Sequence, residues 1–329
     1  MPSKNQDPHK KVALVCIVLS TSLVLTLLFL LNHTAIIDWF KGLGYHPTPA
    51  MSQVKSSLDL TTDGERIWNA TRALLASRED FNESCESHDE AVSVLGCYTN
   101  DRVYVYNVED ESLPGIREST SAHEFLHAVW SRLTGLEKSE LVPLLESTYK
   151  NHPEMKETVE SYPEEERIGE LYVRLATQVK DLPEALEVHY AKYFKDQDRV
   201  VEYYDSYIAP FNELTEKITK LKTELEAINK EINDRSAALD KKVAAFDKAV
   251  AEFNSCAETA GCFANDWTFN SRRAELIAEQ QALNTENDLI NTAINSYNKK
   301  VETYNKSILR STELQNLINS NAPVKTIEE

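Results

Sequence analysis

A heptad repeat of apolar residues occupies about the last third of this sequence and restricts what the chain can fold into. Apolar side chains recur at every seventh position without a gap: Tyr204, Phe211, Ile218, Leu225, Ile232, Leu239, Phe246 and Phe253. Such spacing places one apolar stripe along a helix, and the stripe has to be covered by another helix. The low glycine content, 8 of 329 residues, agrees with a mainly helical protein.

A second apolar series predicts the partner helix. It begins after the break from Cys256 to Trp267 and comprises Leu276, Leu283, Ile290, Tyr297, Tyr304 and Ile318, with Ile294, Val301 and Ile308 beside them. We therefore predict an antiparallel coiled-coil hairpin over residues 197–320 and a short tail at 321–329. The heptads contain no catalytic pattern. The hairpin is expected to bind a protein partner, to self-associate or to brace the rest of the fold.

A long uncharged segment lies near the N-terminus. Val12–Leu31 contains about 20 residues without a charge, which is enough to cross a bilayer. Lysines precede it at residues 4, 10 and 11, so residues 1–11 are expected in the cytoplasm and the rest of the chain outside, on a linker at 32–57. A cleaved signal peptide is the alternative, but the apolar run is longer than the 7 to 15 apolar residues that a signal peptide usually contains. We predict a single-pass cell-membrane protein.

Four of the five cysteines form two local pairs. Cys85 lies near Cys97, and Cys256 lies near Cys262. In an oxidising compartment both pairs are expected to form disulfides. A zinc site made of all four thiolates is the alternative, but neither pair has the C-x2-C spacing of structural zinc sites.

The charge balance bears on the partners. Lys and Arg number 35 against 53 Asp and Glu, which gives a net charge of −18. Proteins that bind nucleic acids need positive surface to displace counterions, so no nucleic-acid partner is expected.

The region between linker and hairpin, residues 58–196, predicts a small α+β domain. Two β-prone runs, Val92–Thr99 and Arg102–Val108, flank the turn pair Asn100-Asp101 and predict a β-hairpin. Helical patterns precede and follow it, including one over Ser119–Leu133.

The predicted helix after the β-hairpin contains a pattern with chemical meaning. Residues 123–127 read His123-Glu124-Phe125-Leu126-His127, the HExxH motif. Histidines four residues apart share one face of a helix and can bind one zinc ion, while the glutamate is placed to deprotonate a water molecule on the metal. Two ordinary surface histidines are the alternative, but chance predicts only about 0.02 such matches in a chain of this composition.

The third metal ligand defines the subclass. Metzincins continue the motif with Gly and a third His, where this chain has Trp130 and Leu133, so that class is excluded. A carboxylate on a later helix is the common remaining solution. Glu170 is the best candidate because it begins an apolar stripe and could face inward. The other candidates are Glu166, Glu187 and His189, and a solvated carboxylate is the alternative reading of Glu170.

The sequence resembles the zincin metallopeptidases of the gluzincin-like type, and more closely a group of bacterial membrane-anchored HExxH proteins. The matching stretches span about residues 58–195: Leu60–Ile67, Phe81–Cys85, Val94–Val108, Thr120–Trp130, and Glu170 through Asp181-Leu182-Pro183 to Phe194. One departure is Ala176-Thr177-Gln178, where the group is expected to have Gly-Thr-Glu. The resemblance implies a zinc cofactor and peptide-bond hydrolysis with Glu124 as general base, but it implies no particular substrate. From the predicted reaction we expect the substrate to be a peptide or protein.

The resemblance also suggests how substrate is held. In zincins an edge strand before the motif helix pairs with extended substrate, and Val103–Val108 is the candidate here, unless it is a plain structural strand. A later Tyr, His or Arg usually stabilises the oxyanion, and His189, Tyr172 and Tyr190 are the candidates.

These patterns combine into one prediction. The fold is α+β and mostly helical, with an N-terminal transmembrane helix, a small zincin-like domain and a helical hairpin. The function is extracytoplasmic, zinc-dependent peptide hydrolysis by His123, His127, Glu170 and Glu124, with His189 as a further catalytic candidate. The alternative is a noncatalytic envelope scaffold or adhesion protein that works through its coiled coil.

Overall fold

The computed structural model describes residues 33–85 and 95–321, together with residues 13, 17, 19–22 and 26. The described chain is mostly helical, with a small three-stranded sheet and a long helical hairpin. It divides into two compact units. The first contains the described residues up to Pro210 and those from Gln315 onward, and the second is Phe211–Leu314.

The predicted transmembrane helix over Val12–Leu31 falls mainly outside the described residues, as do the predicted cytoplasmic segment and almost all of the predicted tail. Among the residues that the structure describes, no helix is long and apolar enough to cross a membrane. A crossing needs about 20 apolar residues, whereas the helical stretch 33–42 contains Asp38 and Lys41. This finding contradicts the transmembrane part of the predicted fold class and the predicted single-pass membrane localisation.

The predicted linker contains helices that belong to the first unit. Helix α1 includes residues 33–42, and α2 spans Pro49–Ser57. Thr48 caps α2 by accepting a hydrogen bond from the amide of Met51, and Pro49 stands at a position where its missing N–H costs nothing. Met51 and Val54 are fully buried, so this part of the chain is folded against the core.

The sheet contains the predicted β-hairpin and one strand that the sequence did not reveal. Strands β2 (Gly96–Thr99) and β3 (Arg102–Tyr106) are antiparallel. Asn100 and Asp101 both have positive φ, as the tight turns of two-residue hairpins require. Strand β1 (Leu74–Ala76) pairs parallel with the other edge of β3, which gives the order β1-β3-β2.

Helices pack against the sheet and against one another and form most of the core. They are α3 (Thr62–Thr71), α4 (Arg78–Ser84), α5 (Ile116–Arg132), α6 (Gly135–Tyr149), a short 3-10 turn (Pro153–Met155), α7 (Lys156–Glu160), α8 (Glu164–Gln178) and α9 (Glu184–Tyr190). The helix α5 packs against both β2 and β3 on one side and against α8 on another. Its apolar side is completely buried at Ala122, Phe125, Leu126, Ala128 and Val129.

The helical hairpin is confirmed. Helix α10 spans Gln197–Glu258 and α11 spans Asp266–Ile318. Arg235 Nε donates to Glu286 Oε1 at 2.8 Å, and Lys300 pairs with Glu224 nearer the other end, so the two arms are antiparallel. The first turns of α10, up to Pro210, belong to the first unit rather than to the hairpin.

Both predicted disulfides are present. Cys85 at the end of α4 is bonded to Cys97 in β2, and Cys256 in the last turns of α10 is bonded to Cys262 in the connection to α11. The four-thiolate zinc site is therefore excluded, because all four cysteines are oxidised. Such bonds form and persist in oxidising compartments.

Candidate metal centre

Helix α5 carries the two histidines of the HExxH motif on the side opposite its buried apolar residues. Gly115 begins the helix with φ +83°, and a Cβ atom there would lie 2.7 Å from the carbonyl oxygen of Tyr203. The spacing of four residues brings the imidazoles of His123 and His127 onto one face. Their side chains are 20% and 23% exposed, so solvent reaches one side of the pair.

Helix α8 brings the third residue. Glu170 is only 6% exposed and is surrounded along α8 by buried apolar residues. Gly169 precedes it, and a Cβ atom at that position would lie 3.1 Å from Trp130 Nε1 on α5. The absence of a side chain at Gly169 thus lets α8 approach α5 closely enough for Glu170 to reach the histidines.

The three side chains converge. His127 Nε2 is 3.1 Å from Glu170 Oε1, and His123 Nε2 is 3.8 Å from Glu170 Oε2. The two Nε2 atoms are 3.3 Å apart, and one ligand atom from each residue lies within 4.8 Å of the others. This group could hold a metal ion.

The distances fit a shared divalent cation. Ligands held tetrahedrally at about 2.0 to 2.1 Å from zinc lie about 3.3 to 3.4 Å from one another. The observed separations of 3.1, 3.3 and 3.8 Å lie around this value. Glu170 Oε2 is also buried without a hydrogen bond, although Arg174 Nε lies 3.3 Å away, so this oxygen keeps lone pairs that a metal ion could use.

The electrostatics of the cluster follow from burial and mutual contact. Burial lowers the pKa of His123 to about 3, and the charge of His127 contributes. Burial alone would raise the pKa of Glu170, but the hydrogen bond from His127 and the charges of both histidines hold it at about 2. His123 is therefore neutral and Glu170 ionised at neutral pH, which are the states that bind metal. Burial alone would lower the pKa of His127, but the hydrogen bond with Glu170 and the charges of Glu124 and Glu170 raise it.

Glu124 lies beside this cluster against strand β2. It is 7% exposed, and burial raises its pKa to about 7. A Cβ atom on Gly96 would lie 2.6 Å from Glu124 Cγ and 2.9 Å from Glu124 Oε1. Strand β2 therefore passes directly over the Glu124 side chain, and only glycine fits at the crossing point.

Two residues that sequence reasoning missed complete the surroundings. Arg174 Nε is 3.3 Å from Glu170 Oε2, and Arg174 Nη2 donates to Tyr162 Oη at 3.1 Å. Arg174 lies four residues after Glu170 on α8, so helical spacing alone could have revealed it. Tyr162 precedes α8, and no local sequence pattern predicts that it lies near the site.

The other candidates lie elsewhere. Glu166 and Glu187 are exposed and do not join the group of converging ligand atoms. His189 is buried, and its Nε2 is 2.9 Å from Tyr172 Oη, while the nearby charges belong to Lys192 and Glu137. His189 therefore takes part in a separate buried network.

Tyr172 and Tyr190 belong to the same network. The hydroxyl of Tyr190 donates to the carbonyl oxygen of Tyr172 at 2.7 Å. Burial raises the pKa of both tyrosines well above the usual value, so they stay protonated. Their contacts point to packing rather than to oxyanion stabilisation.

The predicted edge strand is central. Strand β3, which contains most of Val103–Val108, is paired with β1 on one side and β2 on the other, so it cannot accept a further strand. In the described part of the chain, the open edge next to α5 belongs to β2. Strand order depends on contacts distant in sequence, which is why the hairpin alone did not identify the edge.

In comparisons with protein-family models, curated proteins and solved structures, the chain matches none of them. The resemblance to zincins thus stays a prediction.

Proposed function

We propose that this protein is a zinc-dependent peptidase that hydrolyses peptide bonds in extended segments of peptides or proteins. The observation that carries the proposal is the convergence of His123, His127 and Glu170 at separations of 3.1 to 3.8 Å, with the histidines open to solvent on one side. Two histidines and one carboxylate with an accessible face are typical of catalytic zinc sites, whereas structural sites close the fourth position with protein.

The ligand set has a defined chemical consequence. Zinc, when bound by these residues, lowers the pKa of a water molecule and polarises the scissile carbonyl. A carboxylate oxygen of Glu124 accepts the proton of the attacking water. The same carboxyl group then donates that proton to the leaving amine nitrogen as the C–N bond breaks.

Tyr162 replaces His189 as the candidate for oxyanion stabilisation. Its ring is half-buried before α8, and its hydroxyl accepts a hydrogen bond from Arg174 Nη2 at 3.1 Å. Because Arg174 Nε is 3.3 Å from Glu170 Oε2, a single guanidinium group connects this phenol to the candidate metal ligand. A hydroxyl donor aimed at the developing oxyanion stabilises the transition state.

The open edge of β2 offers a place for the substrate backbone. The Leu95 carbonyl accepts a hydrogen bond from the Tyr106 amide, so every second residue from Leu95 faces β3. The backbone groups of Gly96 and Tyr98 therefore point to the other edge. An extended substrate added there would pass beside Glu124, against which Gly96 lies.

The experiment compares two glutamate variants of the full-length chain for zinc content and for cleavage of fluorescein-labelled casein. Glu124→Gln is expected to keep one zinc per chain and to lose cleavage by about 100-fold or more, because the general base is gone. Glu166→Gln removes an exposed carboxylate from α8 and should cleave like the wild type.

Two results would contradict the proposal. One is cleavage by Glu124→Gln at the wild-type rate, which would assign the activity to a contaminant. The other is a folded wild-type protein that holds zinc but cleaves nothing. That outcome would favour the noncatalytic scaffold, in which the metal stabilises the fold and the protein functions through its helical hairpin.

A further inference from the structure

The guanidinium of Arg174 contacts both the candidate third ligand and the candidate oxyanion donor. Its Nε atom faces Glu170 Oε2 at 3.3 Å, and its Nη2 atom donates to Tyr162 Oη at 3.1 Å. The guanidinium carbon also lies 5.6 Å from the centre of the Tyr162 ring. Two nitrogen atoms of one rigid, planar group thus face two different partners.

The contacts are buried rather than superficial. The Arg174 side chain is 14% exposed and the Glu170 side chain 8%. Glu170 Oε2 and Arg174 Nε are both buried without a hydrogen bond, although they face each other. Removing these two charges from water costs free energy. The pair of Arg174 and Glu170 therefore differs from an exposed ion pair, which contributes little to stability.

Charge neutralisation alone does not account for Arg174. If Glu170 binds a divalent cation, the carboxylate is already neutralised, and a second positive charge next to it opposes metal binding. A lysine would neutralise Glu170 equally well in the absence of metal. What a lysine cannot do is contact Glu170 and Tyr162 at once through a fixed fork.

We infer that Arg174 is a positioning residue, which fixes the Glu170 carboxylate with Oε1 toward His127 and holds the Tyr162 hydroxyl beside the same centre. The inference rests on the proposed function for its purpose, but it concerns the metal-binding geometry and is testable without a substrate. Groups that orient metal ligands in this way typically change metal affinity by about 10 to 100-fold when they are replaced.

The test measures the zinc affinity of the full-length chain by competition with a chromophoric chelator, with zinc as the only added ligand. Arg174→Lys keeps the charge but loses the fork, and its affinity should fall about 10 to 100-fold. Arg174→Met should also lose affinity. If Arg174 acted only through its charge, the methionine variant would instead bind zinc more tightly, because a repelling cation is removed.

Arg167 provides the matched control. It lies on the same helix, and it donates to the backbone carbonyls of Tyr162 and Glu160 at 2.9 and 3.0 Å without contacting Glu170. Arg167→Lys should therefore stay within about threefold of the wild-type affinity, well below the usual effect of a ligand-orienting group. A visible spectrum of the cobalt-substituted protein adds a second readout, since the ligand-field bands should change in Arg174→Lys and not in Arg167→Lys.

Wild-type affinity in Arg174→Lys, or an equal loss in both lysine variants, would overturn the inference. If Arg174→Lys does not fold, the variant Tyr162→Phe tests the inference instead. It removes the hydroxyl that accepts the hydrogen bond from Arg174 Nη2 and leaves every charge in place. Unchanged zinc affinity and an unchanged cobalt spectrum in Tyr162→Phe would then overturn it. These readouts need no substrate. A protein without peptidase activity would contradict the proposed function, but the role of Arg174 in zinc binding could still be tested.

Discussion

At the scale of single residues, Gly96 makes the position of Glu124 unusually sensitive to one methyl group. An alanine at residue 96 would place its Cβ 2.6 Å from Glu124 Cγ and 2.8 Å from Thr120 Cγ2, distances that require a shift. Displacing a catalytic carboxylate by about 1 Å can reduce turnover by about 100-fold. Gly96→Ala should therefore lose casein cleavage by a factor of that order while keeping its zinc.

Gly135 supplies the control for this prediction. It lies at the start of α6, and nothing surrounds the position that its Cβ would take. Gly135→Ala should keep both zinc and activity. If Gly96→Ala cleaves casein as fast as Gly135→Ala, the position of Glu124 against β2 has no part in catalysis.

His189 makes the stability of the first unit depend on pH. Burial lowers its pKa to about 4, with the charge of Lys192 contributing and that of Glu137 opposing. The unfolded chain has a histidine pKa of about 6.5. Above that value both states are neutral and His189 has no effect. Below it the unfolded state takes up the proton first, so the free energy of unfolding falls by up to about 3 kcal/mol as the pH drops from 6.5 to 4.

Urea denaturation at pH 7 and pH 5 measures this effect. His189→Gln cannot titrate but keeps a side-chain acceptor for the Tyr172 hydroxyl, so its loss of stability between the two pH values should be smaller than that of the wild type. Equal losses in the two proteins would show that His189 is not buried in its neutral form.

At the scale of elements, an ion cluster joins α1, the β2–β3 turn and α5. Arg132 Nε donates to both carboxylate oxygens of Asp38 at 3.0 Å, and Arg132 Nη2 donates to Asp101 Oδ1 at 2.7 Å. Asp38 is 4% exposed. Arg132→Met would leave this carboxylate buried without its partner, which should lower the free energy of unfolding by about 3 to 5 kcal/mol.

Arg117 serves as the comparison because it lies on the same helix and forms a looser pair with the exposed Glu109 at 3.9 Å. Arg117→Met should cost less than about 1 kcal/mol. Adding Asp38→Asn to Arg132→Met should recover part of the loss, since the unpaired charge is removed. Similar unfolding free energies for the two arginine variants would mean that the cluster does not hold α1 in place.

The elements that the sequence predicted are those whose signals are local. The HExxH helix, the two-residue turn at Asn100-Asp101 and the two disulfides depend on neighbours within about one dozen residues, and all are present. The linker predicted over residues 32–57 contains helix α2, which is too short for a clear periodic pattern, although Thr48-Pro49 is a helix-start signal.

Features that depend on distant contacts escaped prediction. Strand β1 has three residues, too few for a periodic pattern, and exists because β3 offers it an edge. The central place of β3, and hence the open edge of β2, follows from that same pairing. Glu170 could be predicted because it begins an apolar stripe on α8. Tyr162 lies before α8 and contacts Arg174 only in the folded chain, so no sequence pattern identifies it.

At the scale of the whole molecule, the two disulfides assign the chain to an oxidising environment and differ in what they hold. Cys85–Cys97 fixes the end of β2 next to Gly96, while Cys256–Cys262 closes a loop in the helical hairpin. Their sequence separations of 12 and 6 correspond to about 3 and 2 kcal/mol of loop-closure entropy.

Replacing each pair by serines should separate stability from activity. Cys85→Ser with Cys97→Ser should lower both the free energy of unfolding and the rate of casein cleavage, because β2 loses its anchor. Cys256→Ser with Cys262→Ser should leave cleavage unchanged. Loss of cleavage in both double variants would instead show that the hairpin takes part in the reaction.

We propose that His123, His127 and Glu170 together bind one zinc ion. X-ray absorption at the zinc edge tests it most directly, on the full-length protein loaded with one equivalent of zinc. We expect nitrogen and oxygen ligands at about 2.0 to 2.2 Å with the signature of two imidazoles and without sulfur at about 2.3 Å. This environment should be lost in His123→Ala and altered in Glu170→Gln. A protein that binds no zinc, or a zinc environment that both substitutions leave unchanged, would contradict the claim.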